Sequence, residues 1–326
     1  MVALSFACGP YDRILPIMDG RVRPEGIELS SVALQAEETF YRMVTHREFD
    51  VSEMSFSSYL LTLERDAPFI AIPVFPSKAF RHSGIYVLAD SGIERPEQLV
   101  GATIGIPEFQ VTAAVWIRGI LSDYHGVAAD AVRYRTGGLY KPGRTEKIPI
   151  SPKGIDLAPL TRFGTVGEAL LGGEVDAVYS PRPPRQYLDG DPRVVRLFRD
   201  ARAAEIAYYR ASGIFPIMHV IVIRREVYER DRWIAQSLVK AFTQAKDLAT
   251  GALKYSASLV ASLPFAHHEI DEVVALMGED YWSYGLEPNR RNLETLVRYE
   301  HEQGLISRRP AVEELFAPET LSSVIV

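Results

Sequence analysis

The chain has 326 residues and a single cysteine, Cys8, so it cannot form an internal disulfide or a paired-cysteine zinc motif. It contains no apolar run of the length, about 18 residues, that a membrane-spanning helix needs. Its first residues, MVALSFACGPYDR, lack the basic region followed by an apolar stretch that marks a secretory signal. We therefore predict a cytoplasmic protein without a membrane span.

Strong charge of one sign is also missing. The formal net charge is −6, and no long basic run occurs, which gives nucleic-acid binding no electrostatic support. What remains is the ordinary composition of a globular protein, with 47% hydrophobic and 24% charged residues. The length is sufficient for two domains or lobes, each with its own core.

Short apolar segments that are typical of strands alternate with segments of helical periodicity. The predicted strands of the first series are 3–9, 26–34, 50–54, 69–75 and 84–90, and a second series begins near residue 96. This alternation predicts an α/β fold with a mainly parallel sheet. After residue 225 the pattern becomes mostly helical.

The two series resemble each other. Residues 40–60 and 166–188 both run through a helix, a turn, an aspartate, a strand and a polar segment that contains serine. Either helix–turn–strand units simply look alike, or the chain has two similar lobes that present loops at the carboxyl ends of strands, where α/β proteins bind ligands. Residues 138–160, rich in proline, glycine and lysine, predict a long surface loop of the kind that is often functional.

Four stretches carry a resemblance to a known family: FACGPYDR (6–13), GIPEFQVTAA (105–114), GEVDAVYSPRPP (173–184) and GIFPIMHVIVIRR (213–225). With them the chain resembles the 4,5-dihydroxyphthalate decarboxylases, within the larger group that has the type II periplasmic-binding-protein fold. The resemblance implies an α/β fold of two lobes with an interlobe cleft and a helical C-terminal region. It implies one discontinuous lobe, 1–93 plus 215–326, and a second lobe, 94–214.

The resemblance also implies an aromatic-acid decarboxylase that converts 4,5-dihydroxyphthalate to 3,4-dihydroxybenzoate. Direct loss of carbon dioxide would leave a poorly stabilised aryl carbanion, so protonation of the ring carbon should come first. Such a site needs an acid at that carbon, an acceptor at the phenol and cations for two carboxylates. The chain has neither a GxGxxG nor a GxxxxGK motif, and we expect no organic cofactor.

Several candidate residues lie at predicted strand ends. Lys78, Arg81 and His82 precede a strand, where the Arg81 guanidinium could hold a carboxylate and His82 could donate the proton. Alternatively, they form an ordinary polar loop. Glu53 follows an apolar strand, and because an unpaired buried carboxylate is costly, it must either face water or pair with a cation or histidine. Glu53 is thus a second catalytic candidate, and Lys78 and Arg81 are substrate-binding candidates.

Further substrate-binding candidates belong to the second series. Gln110 and Thr112 open a predicted helix, whose free N–H groups would suit a carboxylate, although an ordinary helix start looks the same. Tyr179, Ser180 and Arg182 follow a strand in a loop stiffened by prolines, which would make either an anion clamp or a structural turn.

His219 interrupts the apolar stretch 213–224. Strict alternation puts it on one strand face with Ile217, Ile221 and Ile223, which favours a histidine buried in the core. The family resemblance instead brings the start of this strand to the cleft. His219 is then a third catalytic candidate, a supporting acid or orienting partner ranked behind His82.

Glu53, His82 and His219 could in principle form a two-histidine, one-carboxylate metal site, but they are far apart in sequence. We predict that no metal or other cofactor is required. The partner is a small aromatic diacid, and the C-terminal helices could support a homo-oligomer. Two alternatives stay open: a non-catalytic solute- or precursor-binding protein of the same fold, and an enzyme acting on another hydroxylated aromatic acid.

Overall fold

A computed structural model describes residues 1–321 and contains two β-sheets covered by helices. From edge to edge, the strands of the first sheet are β2 (Ile27–Ala33), β1 (Val2–Cys8), β3 (Val51–Ser55), β11 (Ile217–Arg224) and β4 (Phe69–Lys78). In this sheet β1 is parallel to both β2 and β3, whereas β11 is antiparallel to β3 and β4.

The second sheet is also mixed. Its strands, from edge to edge, are β10 (Val194–Arg196), β5 (Ile85–Leu88), β9 (Ala177–Tyr179), β6 (Thr103–Ile106), β7 (Arg133–Thr136) and β8 (Asp156–Pro159). The run from β9 to β8 is parallel, and β5 is antiparallel to both of its neighbours. The predicted α/β class is confirmed. The sequence predicted mainly parallel pairing, and β5 and β11 depart from this prediction. Each is the first strand after the chain passes from one sheet to the other, and each runs antiparallel to its neighbours.

The chain changes sheet twice. The first change lies between Lys78 of β4 and Ile85 of β5, earlier than the predicted division after residue 93. The strand predicted at 84–90 therefore belongs to the second sheet, because it pairs with β9 and β10. The second change lies between Arg196 of β10 and Ile217 of β11 and includes the predicted division at 214/215.

Helices connect and cover the strands. In chain order the helices are α1 (Leu15–Met18), α2 (Ala36–His46), α3 (Phe56–Leu63), α4 (Thr112–His125), α5 (Val166–Leu171), α6 (Arg185–Leu188), α7 (Ala201–Ser212), α8 (Arg225–Arg230), α9 (Trp233–Lys254), α10 (Ala266–Met277) and α11 (Arg290–Glu302). The helices that follow β11 form the helical C-terminal region expected from the sequence, although α10 contributes little to the core.

Burial explains the composition of the central strands. All residues of β3 are buried, and β11 is buried except at His219 and Arg224. Central strands covered on both faces read as continuous apolar runs rather than as alternating ones. A polar residue in such a strand, like Glu53 or His219, must find its partner inside the protein.

A joint between α4 and α11 links the two sheets. α4 connects strands of the second sheet, whereas α11 belongs to the region after β11, and the Tyr299 ring of α11 packs edge-on against Trp116 of α4. The Trp116 Nε1–H donates to the carbonyl of Ile217 at 2.8 Å, which ties α4 to β11 as well. A β-carbon added at Gly119 would lie 2.1 Å from a Tyr299 ring carbon, so this close approach requires glycine.

Within residues 1–321, no helix combines the length and the apolar character that crossing a bilayer demands.

Candidate active site

A cavity of about 310 Å³ lies between the two sheets. It takes side chains from α2, β3 and β11 on one side and from α4 and the loops after β7 and β9 on the other. A larger groove, of about 880 Å³, runs along α9 and is lined by none of the predicted site residues. The smaller cavity is lined by Gln35, Ala36, Glu37, Phe40, Ser55, Arg81, Val111, Thr112, Ala113, Arg144, Lys147, Pro181, Arg182, Met218 and His219.

Glu53 and His219 form a hydrogen-bonded pair beside this cavity. In the antiparallel pairing of β3 with β11, His219 lies opposite Ser55 and Ile221 lies opposite Glu53, so the two side chains are diagonal neighbours on one face. His219 Nδ1 lies 2.6 Å from Glu53 Oε1. Glu53 has no exposed surface, whereas the His219 side chain is 18% exposed and lines the cavity.

Three further donors hold the Glu53 carboxylate. Oε2 accepts from the Gly9 N–H at 2.9 Å and from the Cys8 thiol at 3.4 Å, and Oε1 also accepts from the Tyr11 hydroxyl at 2.8 Å. Burial alone would raise the pKa of Glu53, but the His219 charge and these hydrogen bonds outweigh it and hold that pKa below its usual value. Glu53 is therefore a buried, fixed anion hydrogen-bonded to His219.

The orientation of the His219 ring follows from these contacts. Nδ1 points at Glu53, and the edge-on ring of Phe40 packs at 4.8 Å between centroids. Within residues 1–321 we find no hydrogen-bond partner for the other ring nitrogen, Nε2. A carboxylate that fixes Nδ1–H leaves Nε2 as the nitrogen that exchanges a proton with a ligand.

Arg81 presents a cation to the cavity without a carboxylate partner among the described residues. Its Nε lies 3.0 Å from Met218 Sδ, and its Nη1 donates to the carbonyl of Pro181 at a long 3.4 Å. Burial lowers the pKa of Arg81 to about 10, while Glu205 acts in the opposite direction, so the guanidinium stays charged at neutral pH. A half-buried and weakly satisfied guanidinium is suited to bind a carboxylate.

The first turn of α4 faces the same space. Val111, Thr112 and Ala113 line the cavity, and no side chain caps the helix, which leaves the first backbone N–H groups available for an anion. The Thr112 hydroxyl lies 2.8 Å from the Ser55 hydroxyl and accepts from the Ser57 N–H at 3.1 Å. These contacts fix the start of α4 against the end of β3.

The wall formed by the second sheet carries three more cations. Arg144 and Lys147 both bind the buried Glu108 at 2.7 Å. Arg144 and Arg182 each donate to Glu37 of α2, at 3.0 Å to Oε2 and Oε1 respectively. Glu37 therefore spans the cavity from the first-sheet side to two loops of the second-sheet side.

Two predicted residues, His82 in the loop after β4 and Lys78 at the end of β4, do not line this cavity. The His82 ring is buried against Phe198 and Tyr208, and burial lowers its pKa to about 4, with a smaller contribution from His125. The Lys78 ammonium is buried on another side of the fold, where it donates to Ser283 and Asn289. Burial lowers the pKa of Lys78 to about 7, although Asp280 opposes this shift.

Three predicted residues of the second series lie behind the wall. The Gln110 amide donates to Glu146 and to the carbonyl of Ile148, which holds the 138–160 loop in place. Tyr179 is buried in the second sheet, and burial raises the pKa of its hydroxyl. The Ser180 hydroxyl accepts from the Arg182 N–H at 3.4 Å and so supports the residue that does reach the cavity.

The cavity thus unites Arg81, Thr112, Arg182 and His219, with Glu53 directly behind His219. Glu37, Arg144 and Lys147 also line the cavity, but no sequence pattern had marked them as candidate site residues. The 138–160 loop was predicted to be functional, and its GRTEK segment contains two of these three residues, but no residue of it was singled out. Glu37 lies in the first turn of a helix that follows a strand. Thr112 was predicted from a position of this kind, so the same signal could have identified Glu37.

Among residues 1–321, no group of three or more histidine, cysteine, aspartate and glutamate side chains is arranged to hold a metal ion. His82 does not join Glu53 and His219, so the two-histidine, one-carboxylate set considered from the sequence is not assembled.

Comparison with known proteins identifies one relative that matches nearly the whole chain and a second that matches about two thirds of it. The chain is 39% identical over 322 residues to the 4,5-dihydroxyphthalate decarboxylase of Comamonas testosteroni, covering 98% of each chain. It is 41% identical over 210 residues to the 4,5-dihydroxyphthalate decarboxylase of Pseudomonas putida, covering 64% of this chain and 81% of that protein. No protein-family model matches the chain.

Two solved structures with the same fold are periplasmic sulphonate-binding proteins. The aliphatic sulphonate binding protein SsuA of Escherichia coli gives a TM-score of 0.55 at 13% identity, with 98% of each chain covered. The periplasmic sulfonate-binding protein SsuA of Methylobacillus flagellatus gives 0.59 at 13% identity, with 98% of this chain and 93% of that chain covered. At this identity the likeness shows the fold alone, and it confirms the predicted periplasmic-binding-protein-like α/β architecture.

Proposed function

The chain belongs to the 4,5-dihydroxyphthalate decarboxylase family, and from this membership and the residues around the cavity we propose that it converts 4,5-dihydroxyphthalate to 3,4-dihydroxybenzoate and carbon dioxide. Membership of this family makes the protein a carboxy-lyase. The observation that supports the proposed site most strongly is the Glu53–His219 pair beside a cavity that also contains Arg81, a cation with no carboxylate partner within residues 1–321.

The two carboxylates of the substrate would bind at the Arg81 end of the cavity. The guanidinium offers N–H donors that match a carboxylate, and the first turn of α4 adds backbone N–H groups next to Thr112. Charge-assisted hydrogen bonds of this kind contribute about 1.5–3 kcal/mol each. Together they would hold the scissile carboxylate close to His219.

His219 would then act as the general acid. Its Nε2–H would protonate the ring carbon that carries the scissile carboxylate, and Glu53 would stabilise the imidazolium before the transfer. The carbon–carboxylate bond then breaks, its electron pair returns to the ring, and carbon dioxide leaves. The overall balance is one proton taken up for each carbon dioxide released, and His219 is reprotonated from water.

We also propose that turnover requires no metal and no organic cofactor. The support is that the chain itself supplies an acid and several cations at the cavity, in His219, Arg81, Arg144, Lys147 and Arg182. Activity that survives extensive chelator treatment would agree with this proposal. A stoichiometric metal whose removal abolishes turnover, and whose return restores it, would contradict it.

The direct test of function is incubation of the purified protein with 4,5-dihydroxyphthalate, with separation of the aromatic products and measurement of carbon dioxide. We expect equimolar 3,4-dihydroxybenzoate and carbon dioxide. Tight binding without turnover would favour the alternative of a non-catalytic binding protein, and faster turnover of a different hydroxylated aromatic acid would change the substrate. The cytoplasmic location and the homo-oligomer stay predictions.

A further inference from the structure

Decarboxylation by ring protonation needs a group that the proposed acid and anion sites do not supply. When the ring carbon is protonated, positive charge develops on the hydroxyl para to it, and that hydroxyl must release its proton. A negatively charged acceptor at the hydroxyl edge of the ring would stabilise this charge at the moment it forms. His219 cannot serve, because it is the donor in the same step.

Glu37 is the acidic side chain among the cavity-lining residues of the described chain. Its two oxygens each accept one hydrogen bond, from Arg182 and from Arg144, at 3.0 Å. A carboxylate offers about four acceptor positions, so two remain free for a ligand. The two arginines hold the carboxylate in a defined orientation.

Donor and acceptor groups around the cavity also suit the two edges of the substrate. Arg81 and the start of α4 offer N–H donors to the dianionic edge of 4,5-dihydroxyphthalate, whereas the Glu37 carboxylate, already paired with Arg144 and Arg182, has only acceptor positions left. The hydroxyl groups of this substrate lie on the opposite edge of the ring from its carboxylates. Hydroxyl groups can donate to Glu37 and carboxylates cannot, so the hydroxyl edge is the edge that fits Glu37 when the carboxylates bind at Arg81.

From these contacts, and on the basis of the proposed function, we infer that Glu37 is a further catalytic residue that accepts the proton of the para hydroxyl and makes the site selective for hydroxylated rings. As His219 protonates the ring carbon, the hydroxyl proton moves to Glu37 and a neutral dienone forms. When the carboxylate bond breaks, its electrons pass into the ring and make a phenolate. The phenolate recovers the proton from Glu37, which returns as a carboxylate.

The test compares Glu37→Gln and Glu37→Asp with the wild-type protein. The matched control is Glu38→Gln, because Glu38 is an exposed neighbour on α2 that pairs with Arg42 and does not line the cavity. Turnover is measured with 4,5-dihydroxyphthalate. Binding is measured with phthalate, which has both carboxylates but no hydroxyl group.

We expect Glu37→Gln to lower kcat by about 100-fold or more, with partial recovery in Glu37→Asp, because general acid–base groups contribute about 10²–10⁴-fold. Phthalate affinity should stay within about threefold of wild type or become tighter, since a like charge is removed. Glu38→Gln should behave as wild type.

Two outcomes would overturn the inference: unchanged kcat in Glu37→Gln, or an equal loss in kcat and in phthalate affinity, which would make Glu37 only a structural tie between α2 and the opposite loops. Absence of turnover in the wild-type protein would refute the proposed function itself. The two failures are therefore distinguishable.

Discussion

The Glu53→Gln substitution tests the central pair of the proposed mechanism. The buried carboxylate receives four donors, from Cys8, Gly9, Tyr11 and His219. An amide keeps one accepting oxygen but turns the other position into an N–H₂ donor that faces donors. Breaking a buried charged pair on one side costs about 3–5 kcal/mol of folding stability.

The effect on catalysis follows from the tautomer of His219. A glutamine amide can donate to Nδ1, which puts the remaining proton on Nε2 and leaves the ring neutral. Without the Glu53 charge the imidazolium that should protonate the ring carbon is no longer stabilised. We expect kcat to fall by about 10²–10³-fold, within the range for loss of a general acid. KM should change little, because Glu53 is not a lining residue of the cavity.

The assay is steady-state release of carbon dioxide from 4,5-dihydroxyphthalate, after thermal unfolding has shown that the variant is folded at the assay temperature. Glu53→Gln combined with His219→Gln should be no worse than His219→Gln alone, because residues that act as one unit are not additive. Cys8→Ala is the matched control, since it removes a weak donor to the same carboxylate without touching His219. A folded Glu53→Gln protein that keeps kcat within about threefold of wild type would refute the proposal that the Glu53–His219 pair is the proton donor.

Three other predictions concern Lys78, at the end of β4, and Arg81 and His82, in the loop that follows. Arg81→Gln should raise KM by about 10–100-fold with a smaller effect on kcat, because it removes a charge-assisted contact of about 1.5–3 kcal/mol; the split between KM and kcat checks it. His82→Phe should keep wild-type kcat, since its ring packs against Phe198 and Tyr208 away from the cavity, and a large loss of turnover would return His82 to the site. The pKa of Lys78 is lowered to about 7 in the folded protein, so between that value and its ordinary value near 10.4 the unfolded chain holds more protons. We therefore expect the free energy of unfolding of the wild type, minus that of Lys78→Met, to rise with pH across this window when both are measured by denaturant unfolding. A difference that does not change with pH would contradict the lowered pKa of Lys78.

The sequence was informative where a polar residue interrupts a buried strand. Glu53 had to face water or find a partner, and His219 was the odd residue on an isoleucine face; the structure pairs the two across neighbouring strands. What periodicity could not provide was the register that brings them together. His82 was therefore ranked first because it adjoins Arg81 and lies at a predicted strand end, and in the proposal His219 replaces His82 as the acid.

The sequence also could not predict which loop side chains reach the cavity. His82 and Arg81 are adjacent in sequence, yet one packs into an aromatic cluster and the other reaches the cavity, because the short helical turn that begins at His82 sends successive side chains in different directions. Arg144 and Lys147 lie in a long loop whose path is fixed by contacts with Glu108. Such contacts join distant parts of the chain and leave no local pattern.

The joint between α4 and α11 has a consequence for the energetics of ligand binding. When a protein binds its ligand only in a closed form that is rarely populated, the apparent affinity falls in proportion to the fraction of closed molecules. Here the absent side chain of Gly119 lets the Tyr299 ring lie directly on α4, and Trp116 ties the same helix to β11. Core packing at one glycine thus opposes separation of the elements that carry the two walls, and less of the binding energy is needed to bring these walls together.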